Sequence, residues 1–224
     1  MNFDIYEDSA DAVRTRTWKY LDRVLPHRGM FPMQPVERER EAAGTNATVL
    51  RAVNDGDTVG AVYIGPSWEE ATDAKSNGAN AMADRILRSV RSLHGIGVDA
   101  EHRSEGIGSA LLEAAEARVA SEPDAWLIIG VAHGAPELEG FYERHGYVLG
   151  EPSRSMVLRV GSDVIVLPQS DPEPRWFYKQ LTRDEAAGKP PVRAFHPTHR
   201  QLAMMRAGAD QIAGDQPRTG NLGV

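Results

Sequence analysis

The stretch Leu93-His-Gly-Ile-Gly-Val-Asp-Ala-Glu-His-Arg-Ser-Glu-Gly-Ile-Gly-Ser-Ala-Leu-Leu112 decides the fold. Its first part closes an apolar-rich run, Ile86 to Val98, expected to be a long strand. Its second part opens an amphipathic helix over Ile107 to Ser121. There Ile107, Leu111, Ala115 and Val119 line one stripe at intervals of four, Glu113, Glu116 and Arg118 lie elsewhere, and Pro123 follows the end. Between strand and helix sits Arg103-Ser104-Glu105-Gly106-Ile107-Gly108. Glycines there let the backbone turn tightly and bring its N–H groups close to a ligand, and the free amides and positive dipole of a helix N-terminus suit a phosphate. A loop that merely turns a corner satisfies the same six residues. A second pattern, Gly95-Ile96-Gly97-Val98-Asp99-Ala100, spells the dinucleotide-binding fingerprint. It lies inside the strand instead of between strand and helix, so the match is read as chance.

Outward from this centre, the preceding chain reads as a short strand (Asn2 to Tyr6), a helix from Ser9 with Ala10, Val13, Leu21 and Val24 at helical spacing, and a short helix at Val36 to Ala43. A β-hairpin follows, with Ala47 to Val53 and Thr58 to Ile64 joined by Asn54-Asp55-Gly56-Asp57. Residues 66–85 are rich in Ala, Asn, Asp and Glu without a sustained period and read as an inserted loop or a poor helix. Beyond the central helix, Trp126 to Ala132 is a near-continuous apolar run, as a strand buried on both faces requires. Pro136 to His145 reads as a short helix stopped by Gly146, and Met156 to Leu167 with Arg175 to Leu181 as two strands that finish the sheet.

The chain has 224 residues, 25 basic against 32 acidic, for a net charge of −7. With 41% hydrophobic residues it has the material for a core of one large domain. The negative balance argues against broad binding to nucleic acid, which needs concentrated Lys and Arg. No run approaches the roughly 18 apolar residues of a membrane span. Asp4, Glu7, Asp8 and Asp11 stand where a signal peptide would be basic and then apolar, so a cytoplasmic location is the expectation. Zero Cys excludes disulfides, thiolate nucleophiles and Cys-based zinc sites. The chemistry then falls to O and N side chains, the backbone or a borrowed cofactor. His196-x-x-His199 is interrupted by Pro197 and has no third ligand nearby, so no metal is expected.

From Arg183 the composition changes: residues 183–224 hold nine Gly or Pro and six basic against four acidic residues, net +2, which leaves −9 on residues 1–182. Thr198-His199-Arg200-Gln201 matches a capping box, and Leu202, Met205, Ala209 and Ile212 continue at three-four spacing, a helix over about 198–213. That stripe, with Trp176-Phe177-Tyr178 on the last strand, suggests a homodimer contact.

Residues 93–112 resemble the acetyl-CoA-binding segment of the GNAT superfamily of N-acetyltransferases, whose signature is Gln/Arg-x-x-Gly-x-Gly/Ala after a strand. Further on, Gly140-Phe-Tyr-Glu-Arg-His-Gly-Tyr147 is similar to the second family signature, a short helix closing with Tyr-Glu-x-x-Gly-Phe/Tyr. The order of elements also matches over residues 1–182. The resemblance implies an α/β fold of mixed α+β type: a central, mostly antiparallel sheet flanked by helices, with two splayed parallel central strands, followed here by the helical tail.

It implies an acyltransferase that moves the acetyl group of acetyl-CoA to a primary amine by direct attack. The pyrophosphate would rest on the amides of Arg103, Ser104, Glu105, Gly106, Ile107 and Gly108 with Ser109 in the first helical turn, and the pantetheine arm along Ile96, Gly97 and Val98. A backbone N–H near Gly97 or Val98 would polarise the thioester oxygen. Tyr142 matches the general acid, although Leu138, Phe141, Tyr142 and His145 also form a packing stripe. His94 is the first candidate base, with Glu69 or Glu70 as the alternative. Met30, Phe31 and Met33 fall in the segment that lines the acceptor site in the family and favour an acceptor with an apolar part.

Two positions depart from the family pattern. Glu105 is acidic where small or basic residues are usual, which weakens CoA binding if its carboxylate points inward. Pro136 occupies the position of a cofactor-contacting Asn, with His133 as the stand-in. A non-catalytic CoA-binding or partner-binding module is the reading these departures favour.

Overall fold

The computed structural model describes residues 3–8, 11–25, 47–132, 136–160, 162–167, 175–181 and 192–205. The expected helix at 36–43, the residues Met30, Phe31, Met33 and His133, and the tail helix beyond residue 205 lie outside them.

Strand β1 (Asp4–Glu7) and helix α1 (Asp11–Val24) precede the hairpin β2 (Thr48–Asn54) and β3 (Asp57–Pro66), which turns at Asp55-Gly56 as Asp-Gly chemistry requires. Helices α2 (Trp68–Ser76) and α3 (Asn80–Ser89) lead into β4 (Val90–Val98). After a single 3-10 turn (Ala100–His102) come α4 (Ile107–Ala120), β5 (Leu127–Ala132), α5 (Pro136–Arg144) and β6 (Val148–Leu149). The chain ends in β7 (Met156–Val160), β8 (Asp163–Leu167), β9 (Arg175–Gln180) and β10 (Arg193–Phe195).

Seven strands form one sheet in the order β1-β2-β3-β4-β5-β9-β6. Every neighbouring pair is antiparallel except β4 and β5. One face carries α4 and α5: Leu50, Val62, Ile64 and Leu93 of the sheet share a core with Ile107, Leu111, Leu112, Ala115 and Tyr142. The stripe seen in the sequence is therefore the buried face of α4, and removing Leu111, fully buried there, would cost about 2–5 kcal/mol as Ala. The opposite face is covered by α1 over Val49, Ala61 and Tyr63, and by α3 over Val90, Leu127 and Ile129. No helix among the described residues is long and apolar enough to cross a membrane.

Three expectations are corrected. The strand expected from Ile86 begins at Val90, because Met82, Ala83, Ile86 and Ser89 form the buried stripe of α3. The segment 66–85 is neither a loop nor one poor helix. It contains α2 and most of α3, and α2 buries Ala71 and Ala74, residues too small to print an apolar period. Met156 to Leu167 does not extend the main sheet. It is the hairpin β7–β8, which forms a separate three-stranded sheet with β10. The region after residue 182 thus contributes a strand that pairs with β7. Residues 199–205 are helical, and the Thr198 hydroxyl accepts from the Gln201 N–H (3.3 Å) while Gln201 Oε1 accepts from the Thr198 N–H (2.8 Å), a closed capping box.

Candidate active site

The parallel pairing of β4 with β5 lasts only from Val90↔Leu127 to Ser92↔Ile129. Beyond it the two strands stay paired on their outer sides, β4 with β3 to Val98 and β5 with β9 to Ala132. The inner sides diverge, and Ser92 marks the apex of the opening. The register on β3 slips at the same level: Tyr63 faces Gly95 and Ile64 faces Leu93, so His94 is the extra residue of a β-bulge. Ile96 and Val98 pack toward the α4 core, whereas Gly97 is buried against Val24 and Leu21 of α1.

At the far end of β4 the chain enters the glycine loop. Ser104 and Gly106 both take left-handed backbone (φ +66° and +82°), a conformation that costs a non-glycine residue about 1–2 kcal/mol. This geometry aims successive amides to one side, as anion-binding nests do. Gly106 is the N-cap of α4 and supplies no side-chain cap, and the first in-helix bond runs from the Ala110 N–H to the Gly106 carbonyl. The amides of Ile107, Gly108 and Ser109 therefore precede the helix ladder and are oriented with its positive end. Arg103 folds back, its Nε 3.4 Å from the Val98 carbonyl. Glu105 does not turn into this cradle alone: its carboxylate lies 3.3 Å from His102 Nδ1.

Helix α5 closes the same face. Phe141 lies over Gly108, where an added Cβ would stand 3.7 Å from its ring. The Nε2 of His145 meets the Ser109 hydroxyl at 3.0 Å, tying α5 to the first turn of α4. Tyr142 is 6% exposed and stacks on Phe177 with ring centroids 4.2 Å apart. Phe177 lies across β5 at Gly130, where any Cβ would collide with its ring. Burial pushes the Tyr142 phenol well above its ordinary range. A phenol so placed keeps its proton at every physiological pH. The C-terminus of α5 is fastened by Lys179 of β9, which donates to Glu116 Oε2 of α4 (2.6 Å) and to the His145 carbonyl (2.7 Å).

The other face of the opening holds His94 and a polar cluster. The His94 ring stacks on Tyr63 at 4.6 Å, and its Nε2 would stand 3.6 Å from a Cβ on Gly65, so the ring lies over β3 and away from β5. Beside it, Ser67 Oγ and Ser92 Oγ are hydrogen-bonded at 2.7 Å, and the Glu70 carboxyl is close enough to the Ser92 hydroxyl to feel it. The glycine loop, Ser109 and Tyr142 therefore lie on the same face of the sheet as α4, with His94 on the opposite face. Glu69 instead lines a shallow cleft of about 370 Å³ with Trp68, Thr72 and Asp73. Sequence reasoning missed Ser67, Ser92 and His145. Two of these are serines in ordinary strand or loop context, and the third falls in a packing stripe of the sequence.

Residues 45–149 match the family model described as an acetyltransferase (GNAT) domain. No curated protein matches the sequence. Solved structures similar in fold include Ard1 from Thermoplasma volcanium, 15% identical, covering 82% of this chain and 100% of that one with a TM-score of 0.51. Naa50 from Arabidopsis thaliana, solved in complex with the bisubstrate analogue CoA-Ac-MVNAL, is 16% identical over 79% of this chain and 99% of its own, TM-score 0.50. A ribosomal-protein-alanine N-acetyltransferase from Brucella melitensis is 17% identical over 80% and 99%, TM-score 0.50. The fold and the glycine loop define an acyltransferase of the acetyl-transferring kind. Residues 45–149 thus carry a GNAT acetyltransferase domain.

Proposed function

We propose that this protein transfers an acetyl group from acetyl-CoA to a primary amine by direct attack, with Tyr142 assisting the departing sulfur. The observation that carries this reading is the juxtaposition of three features: the opening between β4 and β5, the uncapped N-terminus of α4 at its mouth, and Tyr142 on the helix that closes the same face.

The amides from Arg103 to Gly108 and the Ser109 hydroxyl would hold the pyrophosphate. The backbone of Ile96, Gly97 and Val98 would run beside the pantetheine arm, with a Gly97 or Val98 N–H donating to the thioester oxygen. His133, Met30, Phe31 and Met33, proposed for the cofactor and the acceptor, lie outside the described residues. Because burial raises the Tyr142 phenol above a thiol's ordinary value near 8.5, full proton transfer to the thiolate runs uphill. Its primary contribution is then a hydrogen bond to the sulfur as negative charge develops, completed as a transfer while the C–S bond breaks. For the base the sequence reading offers His94 first and Glu69 or Glu70 as the alternative; because the His94 ring is stacked on Tyr63 over β3, Glu70 on the face opposite Tyr142 is the better placed of them.

The acceptor class is an amine, small or at a peptide terminus. The fold neighbours named for peptide and protein amines support that class. Tyr142→Phe is the test: acetyl-CoA affinity by calorimetry should stay within about twofold, while thiol release falls about 10²-fold or more. Full turnover in the variant overturns the acid assignment, and acetyl-CoA binding by the native chain without release on any of a panel of amines favours a non-catalytic module. A homodimer through the 202–212 stripe is also proposed, and the sedimentation mass of the full chain checks it. Trp176 and Tyr178 pack against the core of α3 and the small sheet, so only that stripe supports it.

A further inference from the structure

We propose that Glu70, acting through the Ser92 hydroxyl, takes up the proton that an acceptor ammonium sheds at the apex of the β4–β5 opening. The inference rests on the acetyl-transfer reading and deepens it.

The residues Ser67-Trp68-Glu69-Glu70 spell a capping box, whose Ser and Glu ordinarily satisfy the first amides of their own helix. At the N-terminus of α2 that box is not closed: Ser67 makes no side-chain cap. Its hydroxyl is bonded to Ser92 instead, and the Glu70 carboxyl, which accepts from its own backbone N–H, also lies beside the Ser92 hydroxyl. Forgoing a cap costs a helix about 1 kcal/mol. The Ser67 hydroxyl is thus turned from its helix to one strand residue, and that residue is the last of β4 to pair with β5. Ser67, Glu70 and Ser92 are 0%, 8% and 7% exposed, so the three form a closed polar cluster directly behind the apex.

Burial, reinforced by the nearby charges of Glu69 and Asp73, pushes the Glu70 carboxyl up to about 7, where it exchanges protons at neutral pH. From β4 the cluster is faced by Ser92, with His94 two residues further along the strand. The residues that α3 buries are Met82, Ala83, Ile86 and Ser89, none of them a cation. His94 is the less suited base because its ring is held flat over Tyr63 and Gly65 on the β3 side.

The acceptor ammonium passes one proton to Ser92 Oγ as the Ser92 hydroxyl proton moves to the Glu70 carboxylate. The freed nitrogen lone pair forms the C–N bond to the acetyl carbon, and the C–S bond breaks with its electron pair on sulfur. The amine's second proton, acidic once the C–N bond exists, makes good the one that sulfur takes from Tyr142. Glu70 then returns its proton to water.

Because Glu70 acts through Ser92 it is a positioning and relay residue, and its test must move something a purely structural role would not. Thiol release from acetyl-CoA is followed against pH with two probes: benzylamine, an ammonium at neutral pH, and methoxyamine, already neutral there. The native chain should show kcat/KM for benzylamine rising with pH to a bend near 7. Glu70→Gln should lose the bend and about 10²-fold in rate at pH 7 while its methoxyamine rate stays within about threefold. Glu70→Asp should recover part of the loss, and His94→Asn should keep the bend. An infrared difference spectrum, native minus Glu70→Gln, should show a buried protonated carboxyl that titrates near pH 7 in the unliganded protein. Retention of the bend in Glu70→Gln, an equal loss with both probes, or no titrating carboxyl overturns the role of Glu70 alone. Acetyl-CoA binding without release on either probe overturns the acetyl-transfer reading and the relay with it.

Discussion

Gly130 shows how one missing carbon reaches the chemistry. With no Cβ on β5, the Phe177 ring lies flat across the strand, and Tyr142 rests on that ring. Gly130→Ala must displace Phe177 and so move the surface that holds the phenol. Overpacking of this kind costs about 1–3 kcal/mol. The expected outcome is a lower denaturant midpoint together with a reduced kcat, while acetyl-CoA affinity is kept because the loop from Arg103 to Ser109 does not touch Gly130. A variant with lower stability and unchanged kcat would show that Tyr142 does not depend on Phe177 for its position. Ser104 tells the complementary story: its left-handed φ is a conformation glycine would take without strain, yet it lies in the loop whose glycines were the first sign of a site.

Among the elements, the clearest in the sequence were those whose buried residues are large and regularly spaced. Helix α4 declares itself through Ile107, Leu111, Ala115 and Val119, and β5 through its unbroken apolar run. Helix α2 was hidden because it packs through Ala71 and Ala74, and the start of β4 was misplaced because Ile86-Leu87 reads equally well as strand. That β7 and β8 form their own sheet is a matter of tertiary pairing with β10, on which a hairpin's own residues are silent. The same limit applies to the cleft: the strand-to-helix glycine loop was legible because its residues are contiguous, but Ser67, Glu70 and Ser92 meet only through folding, 25 residues apart at the extremes. Helices α4 and α5 are joined to β9 by Lys179, which bridges Glu116 and the His145 carbonyl beside the Tyr147 ring. Lys179→Met should leave a largely buried carboxylate without its cation and lower stability by about 2 kcal/mol, read as a shifted denaturant midpoint with an unchanged slope.

Over the whole molecule two buried groups give the stability curve opposite slopes. Burial raises the Glu70 carboxyl, so the folded state binds its proton more tightly than the unfolded chain does; the stability this contributes is present below about 4.5 and lost as pH rises through about 7. His196 packs beneath Gly150 beside Tyr178, and burial lowers its pKa, so its contribution is present above the ordinary histidine value and lost as pH falls through the folded one. Thermal melts should therefore show Glu70→Gln gaining on the native chain at pH 8 and losing that advantage by pH 5. Replacing His196 with Leu should flatten the acid side instead. A melting profile of Glu70→Gln parallel to the native one at all pH would refute the first half.

The brief parallel pairing of β4 and β5 also bears on how the protein avoids its own kind. A strand with unused hydrogen-bonding groups is ordinarily an invitation to another chain, and proteins guard such edges at the rim of a sheet. Here two such edges lie in the middle of the sheet, facing one another across a wedge that narrows to closure at Ser92. A foreign strand needs a parallel-sided slot about 4.8 Å from each neighbour, and a wedge provides that spacing at one depth only. The shape that admits a slender ligand is thereby a guard against aggregation, and any substitution that made the two strands run parallel further would weaken both.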